Sequence, residues 1–210
     1  IMLQDMGATI LVNDNDIRVE PLSSPLTPID LEIPSDPSSA SFFIALAILS
    51  KDSRLTIRNM LLNPTRIGFM NVLEKINIQT NISNQHYIHG ELCGDVEFIS
   101  SSINSFEVPA YIIPSIIDEI PILAVLAAFG EGTTIFNRVE ELQFKESNRL
   151  QAIIDNLKNF GINAYKEDNS LIVEGGHPTM ATVQSFDDHR IAMAFIVLSI
   201  AAFGKYEIDN

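Results

Sequence analysis

Residues 117–173 read IDEIPILAVLAAFGEGTTIFNRVEELQFKESNRLQAIIDNLKNFGINAYKEDNSLIV, and the order of patterns in this run decides the fold. Ile117 to Phe129 is helix-like and apolar from Ile120 onward, which predicts a buried helix, with Pro121 suited to its first turn. Thr133 to Asn137 is strand-like. Arg149 to Phe160 sets Leu150, Ile153, Ile154 and Leu157 at helical spacing and stops at Gly161. Asn163 to Tyr165 and Ser170 to Val173 then predict a hairpin around Glu167-Asp168-Asn169.

Upstream the same order recurs. Ser41 to Leu49 predicts a helix, Leu55 to Arg58 a strand, Ile67 to Ile76 a second helix, and polar strands run on to Phe98. The repeat period is roughly 75 to 85 residues, the size of a small αβ subdomain rather than of a solenoid unit. Residues 2 to 20 read as the tail of an earlier unit, with strands at Ala8 to Val12 and Asp16 to Glu20. Residues 186 to 208 read as the head of a later one, Ala201-Ala-Phe-Gly echoing Ala127-Ala-Phe-Gly. The chain is therefore expected to be a piece of a longer protein. Pro21, Pro25, Pro28, Pro34 and Pro37 make the stretch between them a linker or crossover strand.

Bulk composition excludes several classes of function. Thirteen cations against 27 carboxylates give a formal charge of −14, which repels nucleic acid and acidic membrane surfaces. The apolar runs Phe42 to Leu49, Ile120 to Phe129 and Ile191 to Phe203 fall short of the roughly 20 residues a membrane span needs. Cys93 is the one cysteine, so no internal disulfide can form, and a cytoplasmic location is expected.

In so acidic a chain, clustered cations point to a bound anion. Between a strand and a helix lie Glu140-Glu141-Leu142-Gln143-Phe144-Lys145-Glu146-Ser147-Asn148-Arg149. Ser147 or Asn148 can cap that helix, placing Lys145 and Arg149 near free backbone amides that favour phosphate or carboxylate, with Glu146 alongside; taken alone, the pattern favours an ordinary charged helix start with solvated side chains. Ser185-Phe-Asp-Asp-His-Arg190 precedes the most apolar helix, Ile191 to Ala202, whose polar start must lie against protein or at a cleft floor. There Arg190 offers a fork for an oxyanion and His189 a proton carrier, or Asp187 or Asp188 is a cap and Arg190 a structural partner. Asp118 and Glu119 form a third carboxylate pair, at a helix mouth, where a capping role competes with catalysis. His86, His89 and His177 have no metal-ligand spacing.

Asp36-Pro-Ser-Ser-Ala-Ser, Asn63-Pro-Thr-Arg-Ile-Gly, Ile117-Asp-Glu-Ile-Pro, Lys145-Glu-Ser-Asn-Arg-Leu and Asp188-His-Arg-Ile-Ala-Met-Ala, in this order, resemble the 5-enolpyruvylshikimate-3-phosphate synthases. Asn148 and Gln143 depart from the family, which usually has Asp and Arg there. The resemblance implies an α+β prism of βαβαββ units about a pseudo-threefold axis, helices buried and sheets outside. It places residues 1–35 in the tail of a first domain plus crossover linker, and residues 36–210 in most of a second, C-terminal domain that stops before its last helix.

The same resemblance implies transfer of an enolpyruvyl group from phosphoenolpyruvate to the 5-hydroxyl of shikimate 3-phosphate, with no cofactor and no metal. It implies Asp118 and Glu146 as catalytic, Asp118 facing the attacking hydroxyl as base or orienting acceptor and Glu146 handling the proton at the enolpyruvyl carbon, and Lys145, Arg149, His189, Arg190 and Glu141 as substrate-binding. Partners would be those two small molecules and the missing N-terminal domain of the same chain, in a monomeric parent; the piece alone should not turn over. Two rivals remain: a UDP-N-acetylglucosamine enolpyruvyl transferase, and a non-catalytic anion-binding repeat domain. The last predicts no pairing of Lys145, Glu146, Arg149 and Arg190 in space. The enzymatic reading predicts helix N-termini converging on a positively charged hollow.

Overall fold

A computed structural model describes residues 2–209 of the chain. A short helix, α1 (Met2–Asp5), leads into an antiparallel hairpin of β1 (Ile10–Asn13) and β2 (Asp16–Val19). Leu11, Val12, Ile17 and Val19 on that hairpin are all exposed. Residues 20–34 then run without regular structure. The prolines there lack the amide hydrogens that a helix or ladder needs.

Two units of the same element order follow. The first holds α2 (Pro37–Leu49), β3 (Arg54–Leu61), α3 (Gly68–Lys75), β4 (Thr80–Ile88) and β5 (Glu91–Ile99). The second holds β6 (Glu107–Val108), α4 (Ile120–Ala128), β7 (Thr133–Phe136), α5 (Arg149–Asn159), β8 (Asn163–Glu167) and β9 (Ser170–Glu174). A third unit opens with α6 (His189–Phe203). Each unit begins with a short parallel pairing across its first helix: Ser35 with Met60, β6 with β7, and Val183 with Ile208. These leading strands are one or two residues long, too short to leave a period-2 pattern in the sequence.

The sheets run in the orders β3-β5-β4 and β6-β7-β9-β8. The strand β4 is exposed along most of its length, whereas β9 buries Leu171, Ile172 and Val173. All nine residues of α4 are buried, and α2, α4 and α6 pack on one another. A helix apolar on every side is stable only when surrounded, so these three form the centre and the sheets the outer wall.

The helix predicted from Ile117 begins at Ile120 instead. The carbonyl of Ile116 accepts from the amides of both Glu119 and Ile120, folding Ile117 to Glu119 into a turn. Glu119, at the cap position, makes no side-chain hydrogen bond to the start of α4. By contrast Asp36, Asn148 and Asp188 do cap α2, α5 and α6, each accepting from a backbone amide in the first turn. At the far end of α6, Gly204 takes the left-handed conformation, φ 68°, that closes a helix.

Candidate active site

The starts of α4, α5 and α6 converge on the carboxylate of Asp118. Arg149 Nη1 donates to Asp118 Oδ1 at 2.9 Å, Lys145 Nζ lies 3.9 Å from the same oxygen, and Arg190 Nη2 lies 3.6 Å from Oδ2. Arg190 Nη1 also donates to the Asp118 carbonyl at 3.3 Å. Lys145 reaches Glu141 at 3.5 Å. A carboxylate ringed by three cations, from the segment entering α5, from α5 itself and from α6, is not a helix cap, and the side chains of Lys145, Glu146, Arg149 and Arg190 are brought together as a non-catalytic repeat would not require.

Arg149 is placed differently from a residue that faces a ligand. Its side chain is 0% exposed. Nε donates to Asp188 Oδ2 at 2.8 Å, Nη1 to Asp118 and Nη2 to Glu146. The guanidinium is thus a clasp that holds three carboxylates, two of them the expected catalytic pair. Its burial requires this, because an unpaired charge inside protein costs several kcal/mol.

Asp188 is the other half of the clasp. Its Oδ2 takes Arg149 and the Ser147 hydroxyl, the latter at 3.1 Å, and its Oδ1 accepts the Arg190 amide at 2.9 Å. Burial alone would raise its carboxyl, but the Arg149 guanidinium and these donors hold it below the ordinary range. The backbone just before it is unusual: Phe186 and Asp187 both have left-handed φ, 53° and 55°. The side chain of Asn156, on the buried face of α5, steadies that turn. It accepts from the Gln184 amide at 2.9 Å and donates to the Gln184 carbonyl at 2.9 Å. Sequence reading passed over Asn156, although a polar residue on the apolar stripe beside Leu157 was a visible sign.

Two expected residues stand apart. His189 is exposed at the first position of α6, outside the ion-paired cluster. Glu141 is exposed and touches the cluster only through Lys145. The expectation of a positively charged hollow also needs correction. Lys145, Arg149 and Arg190 are each held by carboxylates of the chain itself, so the cluster is internally neutralised.

One residue of the site had been given no separate role. Glu119 is 5% exposed, faces the Ser38 hydroxyl in the first turn of α2, and its Oε1 has no hydrogen-bond partner among the described residues. Ser38 in turn accepts from Arg66 Nη2 at 3.1 Å, and Arg66 pairs with Asp36 at 3.1 Å. Burial pushes the Glu119 carboxyl up, more than Ser38 and Arg190 pull it down. Among the described residues no cluster of His, Cys, Asp and Glu is arranged to hold a metal ion, and no helix is long and apolar enough to cross a membrane.

The model of the family EPSP synthase (3-phosphoshikimate 1-carboxyvinyltransferase) matches residues 1–210. The chain belongs to the EPSP synthase family. The 3-phosphoshikimate 1-carboxyvinyltransferase of Caldicellulosiruptor saccharolyticus is 40% identical over 214 residues, covering 100% of this chain and 49% of its own length. That of Caldicellulosiruptor bescii is 42% identical over 212 residues, covering 99% and 49%. The solved EPSP synthase from Acinetobacter baumannii superposes with a TM-score of 0.89 at 29% identity, over 99% of this chain and 48% of that one. The enolpyruvyl transferase NikO from Streptomyces tendae gives 0.73 at 20% identity, over 95% and 44%, a likeness of fold alone. The buried helices and outer sheets are those of the enolpyruvyl transferase fold. The chain spans about half the length of the EPSP synthase relatives it matches.

Proposed function

We propose that this chain carries the phosphoenolpyruvate-binding half of an enolpyruvyl transfer site whose acceptor is shikimate 3-phosphate. The observation that carries the reading is the convergence of Lys145, Arg149 and Arg190 on Asp118. An incoming phosphate or carboxylate can replace Asp118 as the partner of Lys145 and Arg190, both of which keep some solvent exposure. Released from them, Asp118 remains on Arg149 and is free to accept the proton of the attacking hydroxyl.

The chemistry divides into two balanced steps. The 5-hydroxyl oxygen bonds to C2 of phosphoenolpyruvate while C3 gains a proton, giving a tetrahedral adduct. Loss of a C3 proton with cleavage of the C2 to phosphate bond then forms the enol ether and inorganic phosphate. Glu146 is assigned the proton at C3, and Lys145 and Arg190 the phosphate and carboxylate charges. Arg149 keeps Asp118 and Glu146 on adjoining nitrogens of one planar group. Glu141 and His189 are assigned to the rim, toward shikimate 3-phosphate and phosphoenolpyruvate respectively.

The domain boundary near residue 35 belongs to the same proposal. Its support is the β1 and β2 hairpin, which among the described residues pairs only with itself and leaves Val12, Ile17 and Val19 exposed on one face. Calorimetric titration of phosphoenolpyruvate into the purified chain tests the reading, with saturable binding expected and no phosphate release when shikimate 3-phosphate is added. Absence of binding, or equal binding by Lys145→Met and Arg190→Met, would sink it.

A further inference from the structure

Glu119 is a buried acid for which the proposed chemistry has no use. It sits where four elements meet. Ser38 faces it from α2, and Arg66, paired with Asp36, approaches from the turn before α3. Arg190 approaches from α6, and Asp118 precedes it in its own turn. Arg149 of α5 is committed to Asp118, Glu146 and Asp188.

A buried carboxylate with an orphan oxygen is costly, whereas the protonated acid sheds most of that cost. The alternative way to satisfy an ionised Glu119 would be to draw in a neighbouring guanidinium. Arg66 is held at 3.1 Å by both Asp36 and Ser38, whereas Arg190 meets the Asp118 carboxylate only at 3.6 Å, so Arg190 is the guanidinium more easily turned. Arg190 instead lies along the peptide just before Glu119, donating to the Asp118 carbonyl.

We propose that Glu119 is a positioning residue whose un-ionised form leaves Arg190 available to an incoming anion and whose ionised form draws Arg190 inward. This deepens the function proposed above and rests on Arg190 meeting phosphoenolpyruvate or phosphate. Ionising Glu119 would turn Arg190 inward, so anion affinity and Glu119 protonation are coupled, and by linkage each favours the other.

Two measurements on the whole chain test this. In the first, without any ligand, the Glu119 carboxyl carbon and the Arg190 Nε resonance are followed against pH in isotope-labelled protein. The expected result is a Glu119 midpoint above the ordinary 4.5, with the Arg190 signal moving at the same midpoint. A Glu119 midpoint at or below 4.5, or an Arg190 signal that ignores it, overturns the proposal. In the second, inorganic phosphate and phosphoenolpyruvate are titrated by calorimetry across the same range. Wild type should lose roughly fivefold or more in affinity as Glu119 ionises, and Glu119→Gln should remove that slope. An unchanged slope in Glu119→Gln overturns the coupling. Failure of wild type to bind either anion at any pH sinks the functional reading instead, and the resonance measurement then decides the Glu119 proposal by itself.

Discussion

Arg149 Nε donates to Asp188 Oδ2 at 2.8 Å with both side chains 0% exposed, so the start of α5 is tied to the start of α6 by an ion pair closed to water. The same guanidinium reaches Asp118 and Glu146. Removing it would leave three carboxylates facing one another. Arg149→Met should lower unfolding stability by about 3 to 5 kcal/mol, the cost of breaking one side of a buried pair. Arg149→Lys should recover little, since an ammonium cannot fork to three acceptors. Urea unfolding of the three proteins checks this, and a loss under about 1 kcal/mol for Arg149→Met would show that the clasp does not hold the site together.

Asp188 has a folded-state value below its ordinary 3.8, because the pull of Arg149 and the amide and hydroxyl donors exceeds the effect of burial. The sign follows by linkage. Its stabilising contribution is present above the unfolded value and is lost as pH falls through the lower folded one. Wild type should therefore lose stability below about pH 4 more steeply than Asp188→Asn, whose amide does not titrate there. Equal acid slopes of the unfolding midpoint in the two proteins would count against it.

Lys145 and Arg190 keep partial exposure while Arg149 keeps none, which separates the cations that can meet a ligand from the one that cannot. Lys145→Met or Arg190→Met should each weaken phosphoenolpyruvate binding by roughly tenfold or more, equivalent to about 1.4 kcal/mol, while leaving thermal stability nearly unchanged. Calorimetry beside a melting curve distinguishes this from a folding defect, and the effect should shrink as salt is raised.

Gly68 opens α3 against the turn before α4. A methyl group added there would stand 2.5 Å from Ser115 Oγ and 2.6 Å from the Ser115 carbonyl oxygen. Gly68→Ala should cost about 1 to 3 kcal/mol through overpacking, against the usual gain from alanine in a helix. A stabilised Gly68→Ala variant, read by its melting temperature, would mean that the turn from Ile113 to Glu119 is free to shift.

Much of this was legible in the residues themselves. The apolar runs gave α2, α4 and α6, the 3.6-residue spacing of Leu150, Ile153, Ile154 and Leu157 gave α5, and the capping types at Asn148 and Asp188 marked helix starts. Arg149 was not legible as a buried clasp, because a charged residue reads as solvated until the partners that neutralise it, 31 and 39 positions away, are known. Glu119 differs from Asp118 by one position, and only the Ile116 turn decides that one carboxylate meets cations and the other meets protein. The leading parallel strands escaped for lack of length, and the internal pairing of the cations escaped because composition counts charges without saying which ones meet.

The pair of hydrogen bonds between the Asn156 side-chain amide and the Gln184 backbone makes a turn with two left-handed residues depend on α5. Local opening of that helix would release residues 184–188 as well, and with them the anchor of Arg149. The amides of α5 and of the segment entering α6 should therefore exchange their hydrogens as one cooperative unit, so that damage anywhere along this hinge silences the whole cluster together.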